Sequence, residues 1–135
     1  MASKIEVDEL AGAGSAGVMT VVGEGGSTTT NLQQGLDKFW SNWDGDASTV
    51  STRDSFNQSG LTDNGTGDYT TAFTNNMGND DYAHTGCANS ADGHIMGIER
   101  EAYNTTSQCR SYVFDVGQSV TDTNVVVARV AGDLA

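Results

Sequence analysis

The residues able to bind metal or move protons are two histidines, two cysteines and 18 acidic side chains. The densest oxygen cluster is Asp63-Asn64-Gly65-Thr66-Gly67-Asp68. Calcium favours such a mixture of carboxylate and carbonyl oxygens, but the EF-hand spacing and its distant bidentate glutamate are missing. The same residues suit a hairpin turn, because Asn-Gly reaches positive φ and aspartate caps its own amides. The segment therefore reads as a turn, with Asp63 and Asp68 as the metal candidate beside it. His84 and His94 stand ten residues apart. Symmetry-related copies would be needed to gather them around an ion; the plain alternative is a hydrogen-bonded imidazole. Cys87 and Cys109 match no zinc, haem or CxxC spacing, and are either two thiols or one bridge.

Catalysis finds no motif. There is no G-x-S-x-G elbow and no spaced pair of acids, so the chain is read as a non-enzyme that needs no cofactor. Tyr69, Tyr82, Tyr103 and Tyr112 could stack on sugar rings, among many Asn, Asp and Thr that could hydrogen-bond to them. The same residues also suit a polar sheet face. Tyr82, His84, His94 and Tyr103 are taken as the possible ligand surface.

These side chains need elements to hold them. In residues 1–29, Ile5 and Val7 alternate with charged residues, and Val18, Met19, Val21 and Val22 form a second short β run around the glycine-alanine stretch 11–17. Such a segment cannot build a core, so it reads as an attachment arm with Ile5, Val7, Val18 and Val21 as its apolar contacts. Residues 30–44 read as an amphipathic helix. Thr30 and Gln33 form a capping box. Leu32, Leu36, Phe39, Trp40 and Trp43 fall on one stripe, and Gly45 closes the helix. Gly35 inside it either marks a close backbone approach or has no special meaning. From Ala47 onward the pattern is β, with strands expected around Val50–Phe56, Tyr69–Phe73, Tyr82–Cys87, Ile95–Ala102, Cys109–Val116 and Val125–Val130. Short strands at this spacing predict a small β-sandwich or jelly-roll-like domain over residues 30–135.

Composition bounds what such a domain can do. The chain has 135 residues, a net charge of −12, no proline, 17 glycines and 36% hydrophobic residues. That length suits one domain. With six Lys and Arg in all, it lacks the basic footprint of a nucleic-acid binder. No apolar run reaches the roughly 18 residues of a membrane helix, so no membrane insertion is expected. The start MASKIEVDEL has no signal-peptide core. Large apolar residues are few, which predicts copies sharing one core.

Several runs resemble segments of tail-fibre and appendage proteins of tailed bacteriophages, marine ones especially. They are Gly25-Gly26-Ser27-Thr28-Thr29-Thr30-Asn31-Leu32-Gln33-Gln34-Gly35-Leu36 with Phe39 and Trp40, Asp54-Ser55-Phe56-Asn57, Leu61-Thr62-Asp63-Asn64-Gly65-Thr66-Gly67-Asp68-Tyr69-Thr70, and Phe73-Thr74-Asn75-Asn76-Met77. Both ends, Ser3–Asp8 and Val127–Ala135, look similar to those proteins too. The resemblance implies a virion structural protein, assembled in the host cytoplasm as a homotrimer. Its N-terminal peptide would dock on other virion proteins of capsid, neck or tail. A reducing cytoplasm favours free Cys87 and Cys109. Lacking a shaft, the chain fits a short appendage or capsid decoration protein better than a long fibre. The other expectation is a receptor- or host-surface glycan-binding module. In the trimer, the helical stripe of three chains would meet at the axis.

Overall fold

The computed structural model describes residues 6–11, 14, 19–23, 25–89, 93–98 and 103–135. The chain divides into two compact units, Met1–Leu36 and Asp37–Ala135.

The first unit holds one two-stranded ribbon, β1 (Thr20–Val22) and β2 (Thr29–Asn31). The strands run antiparallel, with Val21 opposite Thr30. Gly26, at φ 74°, supplies the left-handed residue of the connecting turn. Neighbouring residues on a strand face opposite ways, yet Val21 and Val22 are both more than half exposed. Each face of the ribbon therefore presents one half-exposed valine. Val7 is exposed as well and lies outside any strand, so the strand expected around it does not form. Ile5 and Val18 lie outside the described residues.

Residues 30–44 form no helix. After β2, the stretch Leu32–Leu36 turns the chain and β3 begins at Asp37. The expected capping box has a different occupant: the Asn31 carboxamide oxygen accepts from the Gln34 amide at 3.1 Å. Such a side-chain turn offers the backbone an alternative to a helix. The misreading has a geometric cause. Phe39 and Trp43 are four apart, which places them on one face of a helix or one face of a strand. Aromatic residues packed as Phe39-Trp40-Ser41-Asn42-Trp43 favour the pleated surface. The stripe consequently splits. Phe39 and Trp43 are fully buried, Leu32 and Trp40 are half-buried, and Leu36 is exposed. A Cβ at Gly35 would meet only ordinary contacts, 3.6 Å from the nearest atom, so no close approach requires this glycine.

The second unit is mainly β, with two sandwich-like sheets. Its strands are β3 (Asp37–Asp44), β4 (Ser51–Phe56), β5 (Gln58–Gly65), β6 (Asp68–Phe73), β7 (Ala83–Asn89), β8 (Ile95–Ile98), β9 (Gln108–Phe114) and β10 (Val125–Ala131). One sheet has the order β4-β3-β10-β7 and the other β5-β6-β9-β8. Every pairing is antiparallel. The six expected β segments after residue 47 all carry strands among the described residues, residues 99–102 of the Ile95–Ala102 segment lying outside them; β3 and β5 were not expected as strands.

The core alternates with the strand period. Phe39, Ser41 and Trp43 of β3, Tyr69, Thr71 and Phe73 of β6, Cys109, Ser111 and Val113 of β9, and Val126, Ala128 and Val130 of β10 are all buried. Aromatic edges lock it: Phe39 meets Phe73 at 5.1 Å, Trp43 meets Tyr69 at 5.7 Å and Phe73 meets Tyr82 at 5.9 Å between ring centroids. Within this single chain the large apolar residues therefore have a core. The link between sheets after β4 is fixed by Asn57, at φ 60°. Its carboxamide donates to the carbonyls of Lys38 (2.9 Å) and Asn75 (3.0 Å) and accepts from the Asn75 amide (2.7 Å).

Candidate functional site

The outward face of the second sheet carries the most organised polar and aromatic cluster. Alternation puts Asp68 and Thr70 of β6 and Arg110, Tyr112 and Phe114 of β9 opposite the core residues just named. The register then sets Asp68 opposite Tyr112 and Thr70 opposite Arg110. Arg110 reaches diagonally to Asp68: its Nε donates to Oδ1 at 2.7 Å and its Nη2 to Oδ2. The Tyr112 hydroxyl donates to the same carboxylate at 2.8 Å, and Asn64 Nδ2 donates at 3.3 Å. Asn64 also donates to the Thr70 hydroxyl at 2.9 Å.

Asp68 is nearly buried, and burial alone would raise its pKa. Hydrogen bonds from Arg110, Tyr112 and Asn64 outweigh that and hold it below the ordinary carboxylate value. The two-pronged guanidinium contact is the geometry that fits a carboxylate best. Arg110 also lies against two rings. Its guanidinium carbon sits 4.5 Å from the Tyr103 ring centroid and 5.6 Å from that of Tyr112. Tyr112 and Phe114 stack at 5.9 Å with 21° between their planes. Phe114 also leans across β8 at Gly97, where a Cβ would stand 2.9 Å from the ring. The outcome is a ladder, Tyr103, Arg110, Tyr112 and Phe114, along one sheet face.

The expected ligand surface divides. Tyr103 belongs to the ladder and is exposed. Tyr82 and His84 do not: both point inward and are buried. The Tyr82 hydroxyl donates to the backbone carbonyls of Thr105 (3.1 Å) and Gln108 (2.7 Å). His94 is half-buried, with no hydrogen-bond partner at Nδ1. In Tyr82-Ala83-His84-Thr85 neither alternate set is clearly apolar, so the sequence did not reveal which faced the core. Among the remaining tyrosines, Tyr69 is sealed in the core and donates to Asp122 at 2.8 Å and to the Gly45 carbonyl at 3.1 Å. The ladder residues overlooked as a set were Arg110, Tyr112 and Phe114. Their signal was legible: large planar side chains at i, i+2 and i+4, with Cys109, Ser111 and Val113 between them.

Asp63 and Asp68 form no metal pair. Asp63 accepts from the Gly65 amide at 2.9 Å, capping the β5-β6 turn, while Asp68 is committed to Arg110. Among the described residues, no group of three or more His, Cys, Asp or Glu could hold a metal ion. Cys87 is exposed and Cys109 buried, and the two are not bridged. Burial pushes the Cys109 thiol up to about 12, against a lowering contact from Thr71, so it stays protonated.

Inside the core, Ser111 Oγ and His84 Nε2 lie 3.3 Å apart. A nucleophile site begins with such a pair, but Ser111 is 1% exposed and His84 Nδ1 has no hydrogen-bond partner. Burial pulls the His84 pKa down to about 4, so the ring is neutral near pH 7. The pair is a core contact between the two sheets.

Comparison with protein-family models, with curated proteins and with solved structures gave no match.

Proposed function

We propose that this chain is a structural protein of a tailed-bacteriophage virion, a short homotrimeric surface appendage or capsid decoration held by its N-terminal segment. One observation carries the anchoring part: Val21 and Val22, on opposite faces of the β1-β2 ribbon, are both more than half exposed. An isolated two-stranded ribbon is marginally stable in water, and Val21 and Val22 lose their hydration cost only when another surface covers them. A particle surface is that partner in this reading. The trimer and the virion location rest on the resemblance of the glycine-threonine and DNGTGDYT runs to phage appendage proteins. The helical stripe no longer supports the trimer, because Phe39 and Trp43 serve the sandwich itself.

The role is structural and needs no catalysis or cofactor. Its partners are two further copies and other virion proteins. Recognition of a host-surface glycan is the second reading, favoured by the Tyr103-Phe114 ladder.

The test is a double substitution in the full chain, Val21→Asp with Val22→Asp. On gradient-purified particles of the virus that encodes the chain, the wild type should sediment with the particle. The double variant should be found free, with the sandwich melting unchanged. A variant that remains particle-bound at wild-type levels would refute anchoring by the ribbon.

A further inference from the structure

The ladder has the make-up of a binding face, and we infer that it takes a neutral glycan, stacking hexopyranose rings on Phe114 and Tyr103. This deepens the second reading above and does not depend on the virion location.

The first argument is shape. A pyranose has an apolar face of C–H groups and an edge of hydroxyls, so it needs a flat aromatic surface beside donors and acceptors. Phe114 supplies the flat surface, because Gly97 beneath it lacks the Cβ that would lift the ring. Tyr103 supplies a second ring beyond the Arg110 guanidinium, and it is 42% exposed. Asn64 and Thr70 stand on the neighbouring strands of the same face, with a carboxamide and a hydroxyl that can donate or accept.

The second argument is charge. Arg53, Arg110 and Arg129 each face an aspartate across a salt bridge. An anionic sugar would meet a chain of net charge −12, and on this face Arg110 is already committed to Asp68. A neutral chain of hexoses meets no such obstacle.

The third argument is preorganisation. Asp68 is hydrogen-bonded by Arg110, Tyr112 and Asn64, and Arg110 lies against the Tyr103 and Tyr112 rings. The face is already ordered before a ligand arrives, which lowers the entropy lost on binding. It is a face and not a deep pocket, so each site should bind weakly and gain strength when several copies act together.

The test uses the purified full-length chain with maltohexaose, cellohexaose and mannohexaose at millimolar concentration, and a hexuronate oligomer as the anionic comparison. Saturation-transfer NMR should show contact with at least one neutral hexaose and none with the hexuronate. Amide shifts should gather on β6, β8 and β9, and Tyr103→Ala should weaken the signal several-fold while its amide spectrum shows the sandwich still folded. Phe114→Ala should weaken it further. The inference is overturned if no neutral hexaose binds, if only the hexuronate binds, or if the shifts map elsewhere. Because wild-type shifts locate the site, a variant that misfolds does not blunt the test. A chain that sediments with particles but takes up no sugar would overturn this inference and leave the anchoring intact.

Discussion

Asp68 shows what a single side chain costs when its setting is lost. Removing the guanidinium with Arg110→Ala would leave a nearly buried carboxylate without its cation. A buried ion pair broken from one side typically costs about 3 kcal/mol or more. Urea unfolding should show that loss, and Arg110→Lys should recover only part of it, because an ammonium cannot make the two-pronged contact. Asp68→Asn with Arg110→Met should cost less than Arg110→Ala alone. His84 makes a pH prediction. Its folded pKa is about 4, whereas an unfolded imidazole titrates near 6.5. Between those values the unfolded chain binds a proton that the folded chain refuses, so stability falls as pH drops. The loss from pH 7 to pH 5 should be about 2 kcal/mol, and His84→Gln should flatten that window. Asp68 acts further down: its stabilising contribution is present above the usual carboxylate range and disappears as pH falls through its lowered pKa. Of the residues expected on a ligand surface, Tyr103 is exposed, whereas Tyr82 and His84 are buried. A one-residue change of register swaps the faces of a strand, and the β7 residues carry no strong apolar contrast to fix it.

At the scale of elements, β3 is the decisive strand. It lies between β4 and β10 in its sheet and sends Phe39 and Trp43 into the core. Trp43→Ala should cost about 3–5 kcal/mol, the range for deleting a large buried aromatic. Trp40→Ala should cost clearly less, because Trp40 is half-buried on the opposite face. A helix would predict comparable losses at both, since both lie on the helical stripe. Thermal or urea unfolding of the two variants side by side separates the alternatives. The later strands were legible because valine, threonine and aromatic residues alternate there between glycine and asparagine turns. β3 was not, because a spacing of four satisfies both periods and the capping signal at Thr30-Gln33 belonged to a turn. β5 was hidden by polarity: Gln58–Gly65 is an edge strand whose residues are mostly exposed or half-buried, so it carries little apolar alternation to read.

For the whole molecule, the small apolar fraction first implied that one chain could not fill a core alone. The sandwich meets that shortage by another route. Small polar residues, Ser41, Thr71, Ser111 and Thr123, occupy buried positions between a few large rings. Exposed large hydrophobic residues remain in both units, Val7, Leu10, Val21, Val22 and Leu36 in the first and Phe56, Ile95, Tyr103, Val116 and Val120 in the second. Filling the core within one chain removes the sandwich's own need for a partner. It also changes what oligomerisation would have to accomplish: copies of this chain need not complete one another's core. Net charge −12 then fits solubility and repulsion between neighbouring copies. For the proposed virion role, the most direct measurement is an electron cryo-microscopy map of phage particles proposed to carry this chain. The account predicts three copies around a local threefold, the β1-β2 ribbons lying on the particle surface and the Tyr103-Phe114 faces turned to solvent. Particles without this density, or with the ribbon in solvent and the sandwich forming the attachment, would contradict it.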